Sequence, residues 1–265
     1  MSKISNFKQL LIIPSAKSLN ESIELSKEYN TGFEFNDFAM PWMLENEKGC
    51  SDLISKYLST PELPSFTTTH GAFFDVLVFS DDIRIREVSE MRVYQSMDAA
   101  RKLGCKGIVF HGNINPLLLA TAAGPIYEKH WLESSRDFFR TVCRDYPEIN
   151  IYIENMWDQT PDHLQNLAKE MTDLANFGLC FDYAHAGISK TDTEEWSKKL
   201  GPYIKHVHIN DNDGKSDLHL ALGDGITDWN KFFELKYRFF NDASVLIETS
   251  SIENQRKSLK FLNTL

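Results

Sequence analysis

Nine residues of the types that hold metal ions punctuate the chain: His70, His111, Glu154, Asp182, His185, His208, Asp217, His219 and Glu248. Six of them close short apolar or β-branched runs, as His70 closes SFTTTH, His111 GIVFH, Glu154 INIYIE, Asp182 GLCFD, His208 IKHVH and Glu248 SVLIE. The other three follow such ends closely, His185 in FDYAHAG and Asp217 with His219 in KSDLHLALGDG. Imidazole and carboxylate together suit zinc, manganese, iron or cobalt, whereas magnesium or calcium alone would favour all-oxygen sites. Nine donors exceed the needs of one ion, so two or three ions could share them, with Glu154 and a second carboxylate bridging.

Each residue also has a plainer reading. Asn/Asp/Gly-rich stretches such as HVHINDNDGKSDLHLALGDG (206–225) are common surface loops, and a lone His70 or His111 is more often a hydrogen-bonded core or loop histidine. Position tips the balance. The 38 acidic residues and 8 histidines fill about a sixth of the chain, so six such residues closing eight runs is far above chance. Glu154 and Glu248 end buried runs, YIE and LIE, where an uncompensated carboxylate is costly and a nearby cation is the natural remedy. His206 shares the face of His208 one layer deeper and reads as structural. His130 and His163 fall in helix-like stretches and read as surface residues. Phe73, Phe74, Trp157 and Trp229 stand equally between pocket lining and packing.

The elements that must position these residues follow a regular rhythm. Eight runs (10–14, 32–36, 65–70, 107–111, 149–154, 178–182, 204–208 and 244–248) each give way to a stretch of helical periodicity. Thr160 and Pro161 read as an N-cap and first helical residue, with Gly178 closing that helix; Gly104 and Gly201 are similar stops. Eight strand–helix alternations predict one domain over residues 1–265, an α/β (β/α)8 TIM barrel whose strands are apolar on both faces. All strands of such a barrel end on one rim, so the nine residues should converge. No GxGxxG turn or GxxxxGK[ST] loop supports an open doubly wound sheet instead.

With 265 residues, 42% hydrophobic and 25% charged, the chain can bury a large core. Its net charge of −10 argues against a surface that attracts nucleic acid or anionic lipid and favours small partners. Cys50, Cys105, Cys143 and Cys180 are scattered without a CxxC pair and read as reduced thiols of a cytoplasmic protein. The apolar run Leu10–Ile13 before Pro14 is too short for a signal core or a membrane span.

Taken together, THGAF (69–73), FHGN (110–113), IEN (153–155), FDYAH (181–185), HVHINDNDG with DLHLALGDG, and LIET (246–249) resemble the xylose isomerase-like TIM-barrel superfamily. That group joins sugar isomerases and epimerases to apurinic-site nucleases of the endonuclease IV type. The nuclease pattern implies His70, His111 and Glu154 on one zinc, Glu154, Asp182, His208 and Glu248 on a second, and His185, Asp217 and His219 on a third. The isomerase branch implies one ion on Glu154, Asp182, His208 and Glu248, the two glutamates moving protons at the sugar carbon.

The loops 35–49 and 71–82 contain no arginine and several acidic residues, a poor track for duplex DNA. The leading expectation is therefore a metal-dependent sugar or sugar-phosphate isomerase/epimerase with one to three divalent ions of zinc, manganese or cobalt. The alternative is an endonuclease IV-like phosphodiesterase, and a binding protein without catalysis is disfavoured because every ligand position is intact. The expected partner is a small sugar, with nucleic acid disfavoured, no membrane, and a homo-oligomer open.

Overall fold

The computed structural model describes residues 7–73, 75–249 and 251–265. Eight parallel strands close into a barrel in chain order: β1 (Leu10–Ile12), β2 (Gly32–Phe35), β3 (Thr67–His70), β4 (Gly107–His111), β5 (Asn150–Glu154), β6 (Phe177–Asp182), β7 (Ile204–Ile209) and β8 (Ser244–Ile247). At least one helix separates each strand from the next, as the expected (β/α)8 architecture requires. Strands β1, β2, β3 and β8 are buried at every residue, since helices cover the outside and side chains fill the inside.

Local chemistry fixes the helix ends. Asp82 accepts from Arg84 N at 2.9 Å at the start of Ile83–Leu103, and Gly104 ends that helix at φ 71°. Gly178, expected to stop a helix, lies instead inside β6, because the preceding helix already ends at Glu170. A Cβ there would come 2.7 Å from the Lys205 side chain on β7. That helix begins at Asp162 with Pro161 as its cap, one residue later than Thr160 implied.

His163 is not a surface residue. It shares the inward face of Asp162–Glu170 with Leu167, meets the Trp131 ring edge-on at 5.4 Å and bonds Asp158. The i,i+4 spacing from His163 to Leu167 carried that signal. His130 is half-buried, bonded through Nε2 to the Phe79 carbonyl at 2.8 Å.

Cys105, Cys143 and Cys180 are buried, Cys50 is partly so, and all four are unpaired. Among the described residues no helix is long and apolar enough to cross a membrane.

Candidate metal centre

Parallel pairing sets the site. Register aligns His111 on β4 with Glu154 on β5, and Asp182 on β6 with His208 on β7, all at the C-terminal strand ends. Glu248 follows β8 by one residue. Glu154, Asp182, His208 and Glu248 each bring a donor atom within 4.8 Å of the others, a separation one ion can span. His208 Nδ1 lies 3.2 Å from Glu154 Oε1 and 3.6 Å from Glu248 Oε2.

Two further groups flank this one. Glu154 Oε2 faces His70 Nε2 at 3.3 Å and His111 Nε2 at 3.4 Å, while its Oε1 faces His208. The two oxygens of one carboxylate are thus divided between adjacent donor groups, the geometry of a bridge. Asp217 Oδ2 lies 3.2 Å from His185 Nε2 and 3.1 Å from His219 Nε2, forming the third group. All nine residues singled out from the sequence meet on one rim.

The rings are oriented from behind. Nδ1–H of His70, His185 and His219 can donate to the carbonyls of Gly71, Asn155 and Glu248 at 2.9, 2.9 and 3.0 Å. That tautomer leaves each Nε2 lone pair aimed into the site, as metal-binding histidines require. Asn155 also clamps the ends of β5 and β6, its amide bonding the Asp182 carbonyl and N–H, each at 2.9 Å. Asp182 Oδ1 caps the helix Tyr183–Ile188 by accepting from His185 N at 2.6 Å.

Three carboxylate oxygens of these groups, Asp182 Oδ2, Asp217 Oδ1 and Glu248 Oε2, are buried with no hydrogen-bond partner among the described residues. Buried carboxylate oxygens are costly without a partner, so three of them around two histidine-bearing groups fit divalent transition-metal ions. Electrostatics agrees. Burial opposes ionisation of Glu154, yet His208, His111 and His70 outweigh it and hold the carboxyl well below its usual range. Asp182 is pushed up to about 7 by burial, with His185 pulling against it and Glu248 and Glu154 adding to it. His219 is raised to about 10, since Asp217 and Glu248 overcome its burial.

One organising residue and one buried carboxylate escaped the sequence reading. Asp211 orders the loop after β7 by accepting from Gly223 N at 2.8 Å, Thr227 N at 3.1 Å and Trp229 Nε1 at 3.2 Å. A Cβ on Gly225 would lie 2.2 Å from the Asn212 carbonyl, so only glycine lets the loop close there. Glu34 on β2 is fully buried and reaches across the barrel to β7, 3.0 Å from His206 Nε2 and 3.1 Å from His208 Nε2. Its signal was an acid inside the otherwise apolar run GFEF. His206, also bonded to Ser244 at 2.7 Å, holds the deeper structural place expected of it.

Six of the nine donors, His70, His111, His185, Asp217, His219 and Glu248, line a cavity of about 380 Å³ together with Ile13, Asn36, Phe73 and Met156; among the described residues no lysine or arginine lines it. Phe73 packs edge-on against His70 at 5.1 Å, and Trp157 sits 6.1 Å from His185 with 52% exposure. Trp229 is buried packing. Phe74 lies outside the described residues.

Comparison with known proteins places this arrangement. Residues 24–265 match the family described as "Xylose isomerase-like TIM barrel". An uncharacterized protein of Methanocaldococcus jannaschii, MJ1311, is 27% identical over 201 residues, covering 73% of this chain and 67% of that one. Apurinic-apyrimidinic endonuclease 1 of Plasmodium berghei is 22% identical over 245 residues, 83% of this chain but 46% of the longer relative. Among solved structures, a D-tagatose 3-epimerase-like protein superposes with a TM-score of 0.75 at 24% identity, covering 96% of both chains.

Proposed function

The chain belongs to the xylose isomerase-like TIM barrel family, and from that premise we propose that it is a divalent-metal-dependent isomerase or epimerase of sugars or sugar phosphates. The observation that carries this reading is the group of Glu154, Asp182, His208 and Glu248, which reaches through Glu248 a cavity of about 380 Å³ where, among the described residues, no lysine or arginine lines the wall. A cavity of that size suits a monosaccharide-sized ligand.

Asp182, His208 and the two glutamates would hold the ion, zinc, manganese or cobalt, with room for one to three ions over the nine donors. When bound, it would polarise adjacent carbonyl and hydroxyl oxygens of the sugar. Glu154 and Glu248 approach from β5 and from the end of β8, so two carboxylates reach the same small volume from separate strands. One takes the proton from the carbon beside the carbonyl. The other returns a proton to that carbon or to its neighbour, giving epimerisation or isomerisation. The neighbours that share this fold include proteins named for sugar epimerisation, in keeping with the assignment. Unpaired thiols support a cytoplasmic setting.

A second reading is favoured by one specific feature. The groups His70/His111/Glu154 and His185/Asp217/His219 are complete, which a one-ion isomerase does not need and a multi-zinc phosphodiesterase does. Against it stands the lack of arginine in 35–49 and 71–82 and, among the described residues, of any lysine or arginine in the cavity wall. The deciding experiment incubates manganese- or cobalt-loaded protein with a panel of ketoses in D2O and follows the C–H signals by NMR. Deuterium uptake beside the carbonyl supports the isomerase reading. Catalytic nicking of an abasic duplex with no exchange in any sugar overturns it.

A further inference from the structure

We propose that the rim beside the metal cavity is a binding subsite for a second, uncharged sugar ring, so that the substrate is a glycosyl-substituted ketose and not a free monosaccharide; this rests on the sugar isomerase/epimerase reading. A second cavity of about 370 Å³ lies between the segment after β4 and the segment after β5. Met156 lines both cavities, so they adjoin through one side chain. A ligand whose reacting carbon sits beside Glu248 in the first cavity can extend past Met156 into this space.

Its walls match a pyranose. Trp157 is 52% exposed on the rim, and its indole is seated against His185 at 6.1 Å. An exposed aromatic face beside a polar cavity is suited to the apolar C–H face of a sugar ring, and a rigid two-torsion side chain loses little entropy on binding. Leu117 is 77% exposed on the opposite wall. Asn113 Oδ1 and Asn115 Nδ2 are the carboxamide atoms that remain for hydroxyl groups, since Asn115 Oδ1 already accepts from Leu117 N at 2.9 Å. Asn113 holds a left-handed conformation, φ 51°, fixed by its Nδ2 donating to the Phe73 and Val76 carbonyls at 2.9 and 3.0 Å. Such backbone strain in a residue other than glycine gathers at ligand clamps.

Among the described residues no lysine or arginine lines either cavity and no histidine lines the second, so a phosphate or a nucleic-acid backbone finds no counter-charge at the rim. Asp158 is not free for a ligand, since it accepts from Met156 N and from His163 and so pins the base of the Trp157 segment.

The test compares isomaltulose and maltulose, ketoses carrying a glucosyl ring, with D-fructose on manganese-loaded protein. Binding is read by calorimetry and turnover by deuterium uptake. Both disaccharides should bind at least about tenfold more tightly than D-fructose, and Trp157→Ala should erase that advantage. Leu117→Asp, on the opposite wall, should do the same and guards against a purely local effect at Trp157. Equal affinity for mono- and disaccharide, or an advantage that survives both substitutions, overturns the subsite. Calorimetry separates the two claims. Exchange in D-fructose without any disaccharide preference defeats the subsite alone, whereas a Trp157-dependent disaccharide preference without exchange supports it and defeats the reaction. An abasic duplex that displaces isomaltulose and loses affinity on Trp157→Ala would assign the rim to nucleic acid and overturn the proposal.

Discussion

His208 Nε2 stands 3.1 Å from Glu34 Oε1, so the imidazole that faces the candidate metal centre is backed by a carboxylate from the far side of the barrel. Both residues are fully buried, and Glu34 also accepts from Thr68 Oγ1 at 2.6 Å. A carboxylate this close behind a metal-binding imidazole raises its basicity by its charge. Glu34→Gln is therefore expected to weaken metal binding about 10–100-fold, read by competition with a chromogenic chelator. Unchanged affinity in a folded variant would show that Glu34 serves packing alone.

Glu154→Gln and Glu248→Gln each remove a charge and a proton carrier with almost no change in volume. Turnover of the sugar should fall by about a thousandfold while near-ultraviolet circular dichroism stays native. Either variant keeping most of its kcat would place the proton transfer elsewhere.

Asp217 divides the two enzyme classes. Asp217→Ala leaves the group of Glu154, Asp182, His208 and Glu248 intact, so a one-ion isomerase should keep measurable activity on its sugar. Loss of an abasic-site nicking activity together with one bound ion, counted by elemental analysis, would establish the phosphodiesterase in its place.

Asp211 carries a pH dependence that is structural. Burial opposes its ionisation, but the hydroxyl and N–H of Thr227, the Gly223 N–H and the Trp229 indole outweigh that and hold its carboxyl below the ordinary range. A carboxyl lowered by folding stabilises the protein fully above its unfolded value, and that contribution is lost as pH falls through the folded one. Asp211→Asn should cost about 2 kcal/mol at neutral pH, with the gap to wild type closing below about pH 4. A gap independent of pH in urea titrations would mean that shape, and not charge, holds the loop.

Much of this was legible because a parallel barrel turns a one-dimensional pattern into a rim. His70, His111, Glu154, Asp182, His208 and Glu248 each end an apolar run, and register alone then sets His111 beside Glu154 and Asp182 beside His208. Glu34 was missed because it ends no run; it lies one layer down, and only closure of the barrel through β1 and β8 brings β2 within reach of β7. His163 was misread because a polar residue on a short helix resembles a surface residue until Asp158 is seen to satisfy its ring. Gly178 was misplaced because glycine stops helices and also relieves crowding between strands, and Lys205 across the sheet decides which.

The most direct measurement is a titration of metal-stripped protein with manganese, cobalt and zinc, following melting temperature and bound ions per chain in wild type and in His208→Ala. Wild type should bind at least one ion per chain and melt at a temperature that rises with metal concentration, with both effects lost or strongly reduced in His208→Ala. Wild-type protein that binds none of the three ions and melts at the same temperature with or without them would contradict the metal centre, and with it the reaction built upon it.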